Sequence, residues 1–337
     1  MDLYQAIIGG LKTSLIIGLF YGIGTIGLSL IYRYLKFPDF STVVSIIVGS
    51  LISVQITNLI GSPFGVLFGI LAGIVMGAII GLVTGLQIVY AKIPPILAGI
   101  ITYTSAKSLA FFITGNNAEL FYNSNLDKGL DYFISNVFSF QTLIISIIFC
   151  LLVSFLVSRI FRTRFGLMIL ALLGTDNFIK YRHKENGKTT IYLIMLGNAI
   201  IGFGGALASI QNRSATVDNH NEFIFIALGG YALGMYLIKL LSKPKIQKYL
   251  DKDNKTSAPF WIRILIFYIG YLSYNDENPS KLFTTFLLFI LSSALINVIF
   301  MTVNNEIPSN YGYLAKALIL FVFIGLSNIS DAIAKKG

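Results

Sequence analysis

Residues 159–189 form a segment between two apolar runs that carries the side chains best suited to bind a protein partner. Its basic start, Arg159 to Arg164, leads into an amphipathic stretch and then a polar turn. Such a segment could dock a soluble protein, or it could be a solvated connector that keeps positive charge on one side of a membrane. The candidate residues of this turn are Gly174, Thr175, Asp176, Asn177, Lys180, Arg182, His183, Lys184 and Glu185.

The same segment ends in Gly187-Lys188-Thr189, which looks like part of a phosphate-binding loop. That motif requires another glycine five residues before Gly187, where Arg182 stands, and a strand before the loop. Neither requirement is met. The sequence therefore predicts no nucleotide site, and any ATP chemistry must come from another polypeptide.

A second candidate segment, Tyr32 to Ser41, joins the first two apolar runs. Pro38 interrupts a helix there, and Asp39 and Ser41 can cap the N-terminus of the helix that follows. A helix broken at membrane depth exposes polar backbone to a translocated solute, whereas an ordinary capped turn has no such role. The sequence leaves both interpretations open.

Lys107 is the strongest polar candidate inside an apolar run. A lysine at membrane depth is costly and marks a functional site by default, so it could pair with a substrate carboxylate, but its side chain could also reach the outer membrane surface. For Lys12 and Lys316, nearer the ends of their runs, we expect the side chain to reach the surface. Neutral side chains that could line a path or bond between helices are Gln55, Asn58, Asn198 and Asn297.

Catalytic and metal chemistry find little support in the sequence. The single cysteine, Cys150, lies in an apolar run, so there is no disulfide framework and no cysteine metal motif. The two histidines, His183 and His220, lie in different loops. We predict no catalytic residues, no metal and no cofactor, and a membrane-embedded enzyme stays a minor alternative.

All of these residues belong to an integral membrane protein. Of its 337 residues, 55% are hydrophobic and 12% are charged, with a mean hydropathy of +0.77, whereas soluble domains carry about 25% charged residues. We predict one membrane domain over residues 1–337, an all-α bundle of about nine transmembrane helices. The predicted spans are Ala6 to Ile31, Ser41 to Ile60, Phe64 to Tyr90, Ile96 to Thr114, Phe138 to Val157, Thr190 to Ser209, Phe223 to Leu241, Leu282 to Val303 and Gly312 to Ile329.

The orientation follows from about 20 of the 25 basic residues, which fall on one side of this map. Because cytoplasmic loops retain lysine and arginine, we place the N-terminus outside and the C-terminus in the cytoplasm, in the cytoplasmic (inner) membrane. Residues 242–281 form a basic cytoplasmic loop, in which Phe260 to Tyr274 is expected to lie on the membrane surface. The net charge of +10 then meets anionic lipid, and we expect no nucleic-acid partner.

One apolar run carries glycine at every fourth position. This spacing forms a continuous groove on a helix and lets a neighbouring backbone approach closely. We expect the third span to be buried in the bundle, with the groove serving static packing or, less readily, a surface that slides. The glycines are Gly65, Gly69, Gly73, Gly77, Gly81 and Gly85.

Several segments, in order along nearly the whole chain, resemble the membrane permeases of bacterial ATP-binding-cassette importers. The branch is that of the branched-chain amino acid, ribose and tryptophan-type permeases. A cytoplasmic insert at residues 243–261 departs from the family, as does the turn around Phe178 and His183. The similar segments are YLKFPDFSTVVSIIVG (34–49), KIPPILAGIITYTSAKSLAFFITG (92–115), RTRFG (162–166), LGNAIIGFGGALASIQ (196–211) and PSNYGYLAKALIL (308–320).

The resemblance implies a type II importer permease that works as a homodimer or a pseudo-symmetric pair. Its partners would be two cytoplasmic ATPases, coupled through residues 159–189, and an extracytoplasmic solute-binding protein on the outer loops 116–136 and 212–221. An amino acid is the first choice of substrate. The alternative is a secondary transporter or channel that acts without an ATPase, which would need buried acidic residues. No Asp or Glu falls in the middle of a predicted span.

Overall fold

The chain is seen in a computed structural model, which describes residues 3–35, 39–61, 63–115, 117–122, 141–164, 166, 187–217, 222–241, 282–306 and 315–325. The helices are α1 (Leu3–Leu35), α2 (Ser41–Ile60), α3 (Pro63–Val89), α4 (Pro95–Ile113), α5 (Gln141–Phe161), α6 (Gly187–Asn212), α7 (Phe223–Leu241), α8 (Leu282–Glu306) and α9 (Ala315–Gly325). Two short strands, β1 (Glu119–Phe121) and β2 (Ser214–Thr216), complete the described structure.

Each predicted span coincides with one of these helices, and the all-α polytopic membrane fold is confirmed. Within the described ranges, six helices are long and apolar enough to cross a membrane by length and composition: Gly10–Arg33, Ser41–Ile60, Phe64–Val89, Pro95–Ile113, Gly187–Asn212 and Thr285–Thr302. Shorter apolar helices are Ser146–Phe161, Phe223–Ile238 and Ala315–Gly325. The basic loop 242–281 and its predicted surface segment lie outside the described residues.

The centre of the bundle is a pair of antiparallel helices, α1 and α6. A Cβ atom added to Gly197 would lie 3.0 Å from the carbonyl oxygen of Gly27, and Gly24 lies against Ile201 and Gly204. Glycine allows this approach because it places no side chain between the two backbones. Both helices are buried over most of their length, so the other helices pack around them.

The glycine groove of α3 does pack tightly, against α2 and α6. A Cβ on Gly73 would stand 2.9 Å from the carbonyl oxygen of Gly49, and one on Gly81 would stand 2.6 Å from that of Ile194. The expectation that α3 is buried in the bundle holds for the glycine face only, because the rest of the helix surface is largely uncovered. Exposed side chains on α3 are Phe64, Leu67, Phe68, Leu71, Val75, Ile79, Val83 and Leu86.

The helices on either side of α5 form two halves with matching contacts. Of the helices before α5, α3 packs on its neighbour α2 and on α6 of the other half. Of the helices after α5, α8 packs on its neighbour α7 and on α1 of the other half. Likewise α2 contacts α6, and α7 contacts α1. Because α1 and α6 are antiparallel, the second half is inverted with respect to the first, an arrangement found in several transporter folds.

A two-stranded ribbon, which the sequence analysis did not predict, ties two loops together at one end of the bundle. Strand β1 pairs antiparallel with β2, with Leu120 opposite Ala215. Asn58, near the end of α2, donates from Nδ2 to the Phe121 carbonyl oxygen at 2.8 Å. The Tyr122 hydroxyl is buried 3.3 Å from Ser209 Oγ. We call this the ribbon end, and the opposite end, where α6 begins, the Gly187 end.

Candidate functional site

Helix α2 begins far from the Gly187 end of the bundle. Its first residue, Ser41, lies beside Asn198, whose Nδ2 donates to Ser41 Oγ at 3.4 Å. Asn198 stands eleven residues after Gly187, which is about 16 Å along a helix that rises 1.5 Å per residue. The connection from α1 to α2 therefore reaches into the bundle to near the middle of α6, as a broken helix at membrane depth would.

Asp39 is an acidic residue of this connection and is only 2% exposed. Its Oδ1 accepts the Ser41 backbone N–H at 2.9 Å, and its Oδ2 accepts the Ser41 hydroxyl at 2.6 Å. Asp39 thus accepts a backbone N–H of the first turn of α2, whereas the residue at the N-cap position is Phe40, which makes no side-chain cap bond, and Ser41 is a donor to Asp39 rather than a cap.

Gly99 of α4 forms the other wall around Asp39. A Cβ added to Gly99 would stand 2.6 Å from Asp39 Oδ1 and 3.0 Å from the backbone nitrogen of Phe40. Any larger residue would push α4 away from the start of α2. The side chain of Asp39 thereby fills the space that a side chain at position 99 would need.

Asn198 joins α6 to the start of α2. Ser45 donates from Oγ to Asn198 Oδ1 at 2.7 Å, and Asn198 Nδ2 also donates to the Ile194 carbonyl oxygen at 3.1 Å. The side chain is fully buried, and Gly77 and Gly81 of α3 pack on its backbone and Cβ. The structure thus brings three predicted path residues, Asp39, Ser41 and Asn198, into one buried cluster.

The start of α7 is the counterpart of this site in the inverted half. The ring of Phe223 packs on Gly24 and makes an edge contact with Tyr21 at 5.8 Å between centroids. Gly24 in turn lies against Ile201 and Gly204 of α6. Those residues stand eleven and eight positions before Asn212, the last residue of α6, which places the start of α7 about 12 to 16 Å short of the ribbon end.

Glu222, immediately before α7, is ion-paired through Oε1 with Lys316 Nζ of α9. Lys316 is 2% exposed, so the expectation that it reaches the membrane surface was wrong. No Asp or Glu falls in the middle of a predicted span, but this does not exclude carboxylates from the inside of the bundle. Asp39 and Glu222 stand outside the spans in sequence, but the helices they precede begin inside the bundle.

The other predicted path residues lie away from this cluster. Gln55 is half-buried on α2, fourteen residues after Ser41, and Asn58 belongs to the ribbon contact. Lys107 is half-buried on α4, eight residues beyond Gly99, which is about 12 Å along the helix. Pro38 lies outside the described residues.

The docking turn predicted between α5 and α6 also lies outside the described residues, from Gly174 through Glu185. The structure describes the two helices that flank it. Among the residues it describes, no group of three or more His, Cys, Asp or Glu side chains is placed to hold a metal ion.

Comparison with known proteins decides the family. The family model described as branched-chain amino acid transport system, permease component, matches residues 10–243. The chain belongs to this permease family. It is therefore a membrane transport subunit of the ATP-binding-cassette class rather than a catalytic enzyme. No curated protein and no solved structure matches the chain.

The matched residues include the buried cluster of Asp39, Ser41 and Asn198, together with Gly99, the ribbon and the start of α7. Helices α8 and α9 lie beyond the match, although they complete the second half of the bundle. The permease thus extends, in structure, past the region that the family model covers.

Proposed function

We propose that this permease moves a small solute across the cytoplasmic membrane, with an amino acid as the first choice, driven by a separate ATPase. It would work as a homodimer or as one of a pair of similar permeases. The family supports the amino acid, and the basic loops support a cytoplasmic Gly187 end. In this orientation the N-terminus is outside and the C-terminus inside.

The observation that carries the proposal is the pair of helices that begin inside the bundle. The N-terminus of a helix bears unsatisfied backbone N–H groups and partial positive charge. In transporters with inverted halves, such helix starts lie near the membrane midplane and face the solute. Here α2 and α7 begin from opposite directions, near Asn198 and Ile201 of α6 respectively, so the path would run past the Asp39 connection.

The ribbon end is the surface on which we expect the solute-binding protein to dock. The two loops predicted to contact it, 116–136 and 212–221, are joined by β1 and β2. Phe121 is well exposed there, beside Arg213 at the end of α6. A paired ribbon holds these two loops in one orientation, which suits a docking surface better than two separate loops would.

The predicted docking turn is the part of the proposal that mutation tests most sharply. Replacing residues 174–186 with a Gly/Ser linker of the same length should abolish the stimulation of ATP hydrolysis when the permease is reconstituted with its ATPase. The matched control replaces residues 243–255, another thirteen residues of basic loop on the same predicted side, and should leave stimulation in place.

Both variants must elute as monodisperse permease before their ATP hydrolysis is compared. Equal stimulation in the 174–186 variant and the unaltered permease would refute the assignment of that turn. Loss in both variants would show that the ATPase requires the basic face in general.

A secondary transporter is the second candidate, and Asp39 is the observation that favours it. A buried carboxylate at mid-depth can take up and release a proton during a transport cycle. Such a protein would concentrate its solute on a proton gradient without any ATPase. Uptake by the permease alone, lost in Asp39→Asn, would favour this candidate over the ATP-driven one.

A further inference from the structure

Two acidic residues occupy matching places in the two halves of the bundle. Asp39 precedes α2 and is followed by Phe40, and Glu222 precedes α7 and is followed by Phe223. Asp39 lies against α4, the last helix of the first half. Glu222 lies against α9, the last helix of the second half. Each half thus holds its last helix against an acidic residue at the start of its second helix.

The residues that face the two carboxylates also match in sequence. Gly99 is the third residue of Leu97-Ala98-Gly99, and Lys316 is the third residue of Leu314-Ala315-Lys316. In one half the facing position has no side chain, and the helix backbone approaches the carboxylate directly. In the other half the facing position carries a long cation, and the carboxylate is neutralised by it.

The two contacts therefore differ in how they can open. At Asp39 the backbone of α4 packs on the start of α2, so separation would expose a buried carboxylate and a packed surface together. At Glu222 the link is a flexible lysine side chain, supported by the Phe300 ring at 5.9 Å from Nζ. Lys316 is buried, whereas Glu222 keeps 27% of its side-chain surface exposed, so the pair is covered on the lysine side and less covered on the carboxylate side.

We propose that the Glu222–Lys316 pair is a latch that holds α9 against α7 and keeps this half of the solute path closed. Its counterpart, the Asp39–Gly99 contact, holds α4 against the start of α2 in the other half. When the latch opens, the ion pair breaks and Glu222 becomes accessible. This inference rests on the proposed transport function, because a latch needs a path to close.

Leu320 reports on the latch because it is half-buried on α9, one turn beyond Lys316, with its Cδ1 3.5 Å from where a Cβ of Gly229 on α7 would lie. The test uses Leu320→Cys in a chain whose one native cysteine, Cys150, is replaced by serine. The rate of labelling by a membrane-impermeant maleimide is measured in proteoliposomes that contain the permease alone.

In this background Lys316→Met and Glu222→Gln should each raise the labelling rate about tenfold, the ratio that corresponds to 1.4 kcal/mol. The charge exchange, Glu222→Lys with Lys316→Glu, should return the rate toward that of the unaltered pair. Lys12→Met, the same substitution on a half-buried lysine of α1, should leave the rate unchanged.

Unchanged labelling in both single variants, each monodisperse, would overturn the latch. The latch would also be overturned if the single variants failed to fold and the charge exchange restored folding, because the pair would then be a structural contact only. The labelling test uses no ATPase and no solute. A failure of the proposed ATP-driven transport would therefore be seen separately, as absent uptake by a permease whose labelling rates are as predicted.

Discussion

Replacing Gly81 with alanine tests whether the α3 glycine face is a fixed contact between backbones. The added Cβ would stand 2.6 Å from the Ile194 carbonyl oxygen and 2.8 Å from the Cα of Met195. Ordinary contacts begin near 3.4 Å, so α3 and α6 must separate by about 0.8 Å (3.4 − 2.6). No side-chain rotation can relieve a clash with backbone, so we expect Gly81→Ala to destabilise the fold by about 1 to 3 kcal/mol.

The assay is the midpoint of thermal unfolding in detergent, followed by the loss of monodisperse protein on size exclusion. Gly10→Ala is the matched control, because nothing lies within 4 Å of a Cβ at that position of α1, and it should be neutral or stabilise by up to about 1 kcal/mol. Gly85→Ala, with its nearest contact at 3.1 Å, should fall between the two. Equal midpoints for Gly81→Ala and Gly10→Ala would refute the packing argument and favour a loose, sliding surface.

Three further predictions concern single contacts. Asn198→Ala and Ser45→Ala, combined in a double-mutant cycle on unfolding midpoints, should show a coupling of about 0.6 to 1.7 kcal/mol, as bonds between membrane helices do; additive effects would contradict the 2.7 Å bond. Asn58→Ala removes an exposed bond to Phe121 and should cost no more than about 1 kcal/mol while making the ribbon more sensitive to protease, and unaltered cleavage would count against that contact. Cys150 is buried, so the folded permease should resist maleimide until it is heated; rapid labelling of the native protein would contradict the packing of α5 on α1.

The spans and the glycine face were predictable because they depend on local pattern. Long apolar runs between polar turns specify helices whatever surrounds them, and the second predicted span, Ser41 to Ile60, has the bounds seen in the structure. Glycines four residues apart share one face of a helix by geometry alone. The sequence could not tell which helices meet that face, since Gly49 and Ile194 are far away along the chain.

The site was only partly predictable, because the depth at which a helix begins in the bundle depends on tertiary packing. Pro38, Asp39 and Ser41 indicated an interrupted helix, but only the contact with Asn198 shows how far inside the bundle α2 begins. Lys316 was misjudged for the same reason, since its partner Glu222 lies 94 residues away. The sequence did contain a signal for the matching pairs. An acidic residue precedes phenylalanine at both Asp39 and Glu222, and Leu-Ala precedes the residue that faces each of them, Gly99 or Lys316.

The ribbon was missed because neither strand has a signal of its own. Each is three residues long, too short for the alternation that marks a strand. They pair because α4 and α6 end at the same side of the bundle and bring the two loops together.

Uptake into proteoliposomes tests the central claim most directly. The permease is reconstituted with its ATPase and solute-binding protein, or alone under an imposed proton or sodium gradient, and is offered radiolabelled hydrophobic and aromatic amino acids. We predict accumulation against a gradient only when both partners and ATP are present. Accumulation by the permease alone would contradict an ATP-driven permease and establish a secondary transporter.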